Sequence, residues 1–398
     1  VNSSFLRYCS MSSSLALLLF TSSGCGFQES PFDQQSGLVL QDPLGTDLLV
    51  QDNTWNNTII DGESKQKISI TEDSAESEGR TIELSDVYNS KVVRLGQYFA
   101  VTTAEGISYV TSELEVAKTI DINTSGQVLY ADSSNNSEYV SFMFPDPEGG
   151  LPESVKIFRL SRGGVIGEYK TEDPIRSINS CDDGRLFWMH EGALKDVDGQ
   201  EYSDLSVTRV ETDGSVNTFS TSSPVKSPSG QPDLGCDSNK ISYISERKDG
   251  SASSVSMDYD EAAHRLRNPK MGPVIENASD WGAERYSHTY DGVFYTIYKD
   301  GRLSSVPLND SGTVEWSTLL PGNSATASVT FEDSVATVSH QRENSSEIYI
   351  SSFALDEPAC SVGPSRLTKG DKEDPYNPPG DTAINTILSI ERRDYFSC

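Results

Sequence analysis

The sequence is short of basic residues, histidine, cysteine and long apolar runs, and each shortage removes a class of function. Its 398 residues carry 31 Lys+Arg against 60 Asp+Glu, a formal net charge of −29. No nucleic-acid partner is expected, because phosphate backbones are bound through counterion release driven by Lys and Arg. The same deficit argues against adsorption to anionic lipid through a basic patch. The four histidines, His190, His264, His288 and His340, stand 24 to 74 residues apart. Each therefore reads as a strand filler, and no metal is expected. There is no G-x-S-x-G, no H-E-x-x-H and no Walker-type glycine loop. No catalytic residue and no cofactor are assigned. No apolar run approaches the 18 residues of a membrane span.

What is present begins with an export signal. Leu15–Phe20 (LALLLF) is a short apolar run, followed by Thr21-Ser22-Ser23-Gly24-Cys25. A short apolar core followed by small residues is the pattern of a secretory signal. With a Cys directly after the small residues, the segment resembles the lipobox of bacterial lipoproteins, with Ser22 where Leu is typical. That resemblance implies cleavage before Cys25, lipidation of its thiol and acylation of the new N-terminus; the alternative is an ordinary cleaved signal peptide with Cys25 an incidental thiol. Residues 1–24 are then the signal peptide. Two or three acyl chains would anchor the protein stably, whereas one gives only marginal binding.

Residues 25–64 hold seven acids and no Lys or Arg, and they read as an acidic polar tether. Its two apolar runs, Gly37–Leu40 and Leu48–Val50, are suited to docking on the domain that follows. The signal contributes +1, the tether −7 and residues 65–398 −23, so most of the charge is spread over that domain.

From residue 65 onward the chain repeats. A β-rich run after a turn recurs at Tyr98, Tyr139, Leu186, Ile241, Val293, Val335 and Ile384, about 48 residues apart. A second unit, a Gly turn followed by Val, recurs at Gly126, Gly164, Gly214 and Gly312. Glycine supplies the positive φ that tight hairpins require. Four strands per period with almost no helical periodicity predict an all-β chain forming a single β-propeller over 65–398. Seven four-stranded blades fit the spacing best, with six or eight as alternatives. Only Asp260–Leu266 reads as briefly helical. Few residues remain after Ile390, so N-terminal strands, Lys67–Ile70 and Thr81–Leu84, are expected to close the last blade and cover its edges.

Pro232–Gly250, with its Asp237-Ser-Asn-Lys-Ile241-Ser-Tyr-Ile-Ser245-Glu-Arg247 core, resembles a TolB-type propeller repeat. Ser365–Thr368 and Ser389–Arg392 resemble parts of other copies. The resemblance implies the fold and almost nothing about function. Cys181 and Cys236 fall at the same point in consecutive copies. With Cys9 in the signal and Cys25 lipidated, Cys181, Cys236, Cys360 and Cys398 remain for an oxidising compartment. Three pairings are open; repeat equivalence favours Cys181–Cys236 with Cys360–Cys398, and four free thiols are the alternative.

The repeat turns also carry acids: Asp182, Asp183, Asp237, Asp291, Asp333 and Asp381. They read first as turn formers whose side chains accept backbone N–H bonds, and second as a ring of carboxylates around one mouth. Lys195–Glu201 reads as an acidic turn, lacking the full pattern of a calcium loop. The function expected is a lipid-anchored scaffold of the bacterial envelope, monomeric and held to the membrane only by its lipid. It would bind an envelope protein or a glycan on the periplasmic or the outer side. The alternative is a glycosidase or lyase using paired carboxylates in the channel.

Overall fold

The computed structural model describes residues 38–40, 48–52, 65–70, 81–85, 91–122, 128–134, 136–146, 148, 154–198, 200–228, 234, 239–246, 251–275, 285–308, 313–320, 322, 324–342, 347–369 and 387–392. Two compact units divide the chain, 1–35 and 36–398, and every described residue belongs to the second. Among the described residues all regular elements are strands.

Four N-terminal strands come first: β1 (Leu38–Leu40), β2 (Leu48–Asp52), β3 (Lys65–Ile70) and β4 (Thr81–Ser85). A first antiparallel meander contains β5 (Val92–Leu95), β6 (Tyr98–Thr103), β7 (Gly106–Thr111) and β8 (Val116–Asp121). The second contains β9 (Tyr130–Ser133), β10 (Tyr139–Pro145), β11 (Val155–Ser161) and β12 (Gly164–Thr171).

The third opens with β13 (Ile175–Ser180) and β14 (Leu186–Glu191), then inserts a hairpin of β15 (Lys195–Val197) and β16 (Gln200–Ser203). It resumes with β17 (Leu205–Val210) and β18 (Val216–Thr221). β19 (Val225–Lys226) pairs with β16. A three-stranded unit follows, β20 (Lys240–Glu246), β21 (Ala252–Asp260) and β22 (Arg265–Ile275), and β22 joins β18 in parallel.

A further meander holds β23 (Arg285–Tyr290), β24 (Val293–Tyr298), β25 (Arg302–Pro307) and β26 (Glu315–Thr318). The last holds β27 (Ser324–Glu332), β28 (Val335–Arg342), β29 (Ile348–Ala354) and β30 (Ser361–Lys369), with β1 added beyond β30. β31 (Ile387–Arg392) ends the series. Five four-stranded meanders are thus present among the described residues, four of successive strands and the third interrupted by the β15–β16 hairpin.

Alternate side chains of the strands fill the gaps between neighbouring sheets, as the two-residue period of a strand requires. Phe142 and Phe144 of β10 pack with Tyr109 and Ile107 of the first meander, while Met143 packs with Trp188 and Ile178 of the third. Phe187 and Met189 of β14 pack with Tyr243 and Val255. Ile244 and Ala252 meet Phe294 and Tyr298, and Tyr295 and Ile297 meet Val338 and Phe353. Among the described residues successive sheets therefore pack face to face through apolar side chains, which is the packing of a β-propeller.

Both ends of the unit are used to close it. β31 pairs antiparallel with β2, in the order β31-β2-β3-β4, with Val50 opposite Ile390. β31 packs against β27 and β28 on one side and β5 on the other. Ile82 and Leu84 of β4 pack on Val92, Phe99 and Leu114 of the first meander.

Lys67–Ile70 and Thr81–Leu84 thus lie in the C-terminal strand's sheet, but the strand that touches β31 is β2, from the segment read as tether. The apolar run Leu48–Val50 is the first part of that contact, and Leu38–Leu40 is the strand added at β30. The run at Ile384 is expected to match β6, β10, β14, β20, β24 and β28; residues 384–386 lie outside the described residues, and β31, which holds the rest, is an end strand of its sheet and lies beside β27 and β5. Asp260–Leu266 is not helical: β21 ends at Asp260, a turn covers 261–264, and β22 starts at Arg265. The Tyr259 to Leu266 register continues the hairpin across it.

Candidate functional site

One mouth of the channel is built from the turns that follow the inner strands: Gly96-Gln97, Ser134 with Asn136–Glu138, Cys181–Arg185, Asp291-Gly292 and Asp333-Ser334. Three of the inner strands are rich in polar residues (YADS, IRSINS, RYSHTY), whereas β5 (VVRL) is mostly apolar and buried.

Neighbouring turns hold one another. Gly96 N–H donates to Ser137 O at 2.6 Å, and Ser133 Oγ donates to Arg94 O at 2.9 Å. Asn136 N–H donates to Asp182 Oδ1 at 2.8 Å. His288 stacks on Phe331, ring centroids 4.9 Å apart, and its Nε2 donates to Asp333 O at 3.0 Å. Arg94 pairs with Glu332 at 3.3 Å, with both side chains largely buried.

The turn acids do two kinds of work. Asp183 accepts the Arg185 N–H at 3.0 Å and pairs with Arg185 Nε at 2.7 Å, and Asp291 and Asp333 adopt φ of 46° and 50°. Asp is one of the few non-glycine residues that tolerate this region. The second kind is electrostatic. Burial first, and then the charge of Asp182, push the Asp333 carboxyl above the ordinary aspartate range, while His288 opposes this. Asp182 belongs to the third meander and Asp333 to the last, so this mouth couples carboxylates from different parts of the ring.

The remaining residues singled out in the sequence are accounted for individually. His190 is buried, accepts the Trp188 Nε1–H at 2.9 Å and lies 3.2 Å from Pro174 O. Burial lowers its pKa. His340 is 1% exposed between β27 and β29, and burial lowers its pKa to about 4. His264 occupies the turn between β21 and β22 at φ 49°. Lys195–Glu201 forms the β15–β16 hairpin.

Cys181, 1% exposed, and Cys360 are each disulfide-bonded. Cys25, Cys236, Cys398, Asp237 and Asp381 lie outside the described residues. Among the described residues no three His, Cys, Asp or Glu side chains are gathered so as to hold a metal ion. No described helix is long and apolar enough to cross a membrane. Sequence reasoning passed over Arg94, Asn136 and Arg159. Only Arg159 had a signal, since the strands IFRL and VTRV place an arginine at the same point in successive repeats.

The outer strands expose apolar side chains, among them Val165, Ile166, Val216, Val274 and Trp316. No family model matches the chain. No curated protein matches it either.

Solved structures similar to it include the Cps50 (Swd1) β-propeller domain of Myceliophteria thermophila, at 12% identity and TM-score 0.40, covering 72% of this chain and 90% of that one. BamB from Moraxella catarrhalis is similar at 12% identity and TM-score 0.39, over 76% and 81%. An apocarotenoid oxygenase mutant of Synechocystis is similar at 9% identity and TM-score 0.48, over 85% and 92%. The propeller assignment rests on the sheet order and the packing between successive sheets.

Proposed function

We propose that this chain is a lipid-anchored, non-enzymatic β-propeller of the bacterial envelope, binding a protein or glycan through one face of its ring. One observation carries the reading: β1 joins the ring at its outer rim, beyond β30. With Cys25 acylated, the twelve residues between it and Leu38 would hold that rim within about 45 Å of the lipid surface. A tether attached at the rim leaves both mouths open to a partner. The five meanders, the β20–β22 unit and the β31-β2-β3-β4 sheet together make seven blades. The TolB-type likeness at 232–250 fits such a ring. We read the disulfides as Cys181–Cys236 and Cys360–Cys398, the pairing that repeat equivalence favours; Cys181 and Cys360 are each disulfide-bonded.

Labelling cells with an alkyne fatty acid tests the anchor: label and membrane fractionation should both be lost in Cys25→Ser, and retained label would sink the lipoprotein reading. Photocrosslinkers at Asp183 and Asp291 on the turn mouth, against Glu105 and Asp300 at the other ends of the meanders, test the face. Crosslinks to one partner from one face are expected; none from either would remove the binding reading.

The coupling of Asp182 to Asp333 favours a second reading, a glycosidase or lyase. Paired carboxylates at one mouth are what such chemistry would use. Turnover of a polysaccharide that Asp333→Asn or Asp182→Asn abolishes would replace the scaffold reading with this one.

A further inference from the structure

Two arginines occupy the same place in successive meanders and are treated differently. Arg159 of β11 lies opposite Ser141, and Arg209 of β17 lies opposite Phe187. Ser141 and Phe187 each sit one residue pair away from the end of their inner hairpin, opposite Asp132 and Asn179. Both arginines are buried, 5% and 7% exposed. Arg209 pairs with Glu211 through Nε and with Glu261 at 2.9 Å, and it stacks on Phe219 and Tyr259. Arg159 stacks on Tyr139 at 5.5 Å and has no carboxylate partner among the described residues, and its Nε has no acceptor. Two residues on, where Arg209 has Glu211, Arg159 has Ser161.

A guanidinium cannot shed its charge in a protein, so Arg159 cannot lower the cost of burial by deprotonating. Leaving such a charge uncompensated is strongly destabilising. The turn beside it offers no relief, since Asp183 pairs with Arg185 and Asp182 accepts from Asn136. Gly184 in that turn, at φ +83°, lets two donors converge there. A Cβ on it would stand 2.9 Å from Arg159 Nη2 and 3.1 Å from the Tyr139 hydroxyl.

We propose that Arg159, with the Tyr139 hydroxyl, receives one carboxylate from outside the fold, carried by a free organic acid or by an Asp or Glu side chain of a bound partner. Carboxylate is the class because the equivalent arginine takes carboxylates and the guanidinium fork matches them. The negative domain opposes anions at long range, but screening beyond about 8 Å in physiological salt limits this for a single small charge. The inference stands apart from the lipid anchor.

The test is thermal unfolding of the full chain in sodium formate, in acetyl-Glu-amide and in equal sodium chloride. The midpoint should rise by about 2–4 °C in carboxylate beyond its value in chloride. Ser161→Glu supplies the carboxylate internally, as Glu211 does for Arg209, and should raise the midpoint without ligand and flatten the response. Arg159→Leu should flatten it too, and carries the test should Ser161→Glu fail to fold. Responses to formate and acetyl-Glu-amide alike assign a free acid; a response to acetyl-Glu-amide alone assigns a partner's side chain. A wild-type response no larger than that to chloride, or a full response in Arg159→Leu, overturns the site.

Discussion

At the scale of single residues, burial decides how polar groups behave. His340 is held neutral in the folded protein because its 1% exposure penalises the imidazolium, and its pKa falls to about 4. An unfolded His titrates near 6.5. Between those values the unfolded chain binds the proton and the folded one does not, so stability falls as pH falls through this window. His190 shifts in the same direction through burial. We expect His340→Asn to flatten the loss of stability between pH 6.5 and 4, measured by urea unfolding at each pH; an unchanged slope would refute this.

Gly106 opens β7 at φ +130°, where a Cβ would stand 2.1 Å from Ile120 O and 2.9 Å from Ile122 N. Both neighbours are backbone and cannot swing away. Gly106→Ala should therefore cost about 2–4 kcal/mol, read from the urea midpoint, and a loss under about 0.5 kcal/mol would show that the turn has slack.

At the scale of strands, legibility followed burial. The second strand of each four-stranded meander is buried along most of its length, so it appears as a continuous apolar and aromatic run. Tyr98, Tyr139, Leu186, Val293 and Val335 begin such strands as the period predicted, and Ile241 lies one residue inside β20. The inner strands face the channel on one side, so YADS and RYSHTY carry too few apolar residues to announce themselves. β2 was harder still, because three apolar residues in a segment with seven acids and no Lys or Arg look like a docking spot and not like a central strand. Asp260–Leu266 misled because a turn rich in Glu and Ala copies helical composition without helical length.

The same burial makes the strand interiors sensitive. Phe142 is 0% exposed within the cluster shared by the first two meanders. Phe142→Ala should destabilise by about 3–5 kcal/mol, and calorimetry showing a loss under about 1 kcal/mol would contradict that packing. The mouth was half legible. Turn acids were visible as turn formers, whereas the Asp182–Asp333 coupling joins residues about 150 positions apart that only the ring brings together. Arg159 shared its strand position with Arg209, but its missing partner needed three dimensions to see.

At the scale of the molecule, the net charge of −29 is spread across sheets and turns. Such a spread favours solubility over attraction to one partner, and it leaves the ring to be held by apolar contacts between sheets. A ring of this kind has one weak point, where the chain's two ends meet. Here one C-terminal strand and three N-terminal strands share a sheet, so neither end alone can finish it.

The most direct measurement compares the thermal midpoints of three chains: the full sequence, one starting at residue 38, and one starting at residue 65. The chain from 38 keeps β1 and β2 and should melt within about 3 °C of the full sequence. The chain from 65 lacks the strand between β31 and β3, and its midpoint should drop by at least about 10 °C or folding should fail. Equal midpoints for the chains from 38 and 65 would contradict closure by β2, and with it the ring on which this account of the protein rests.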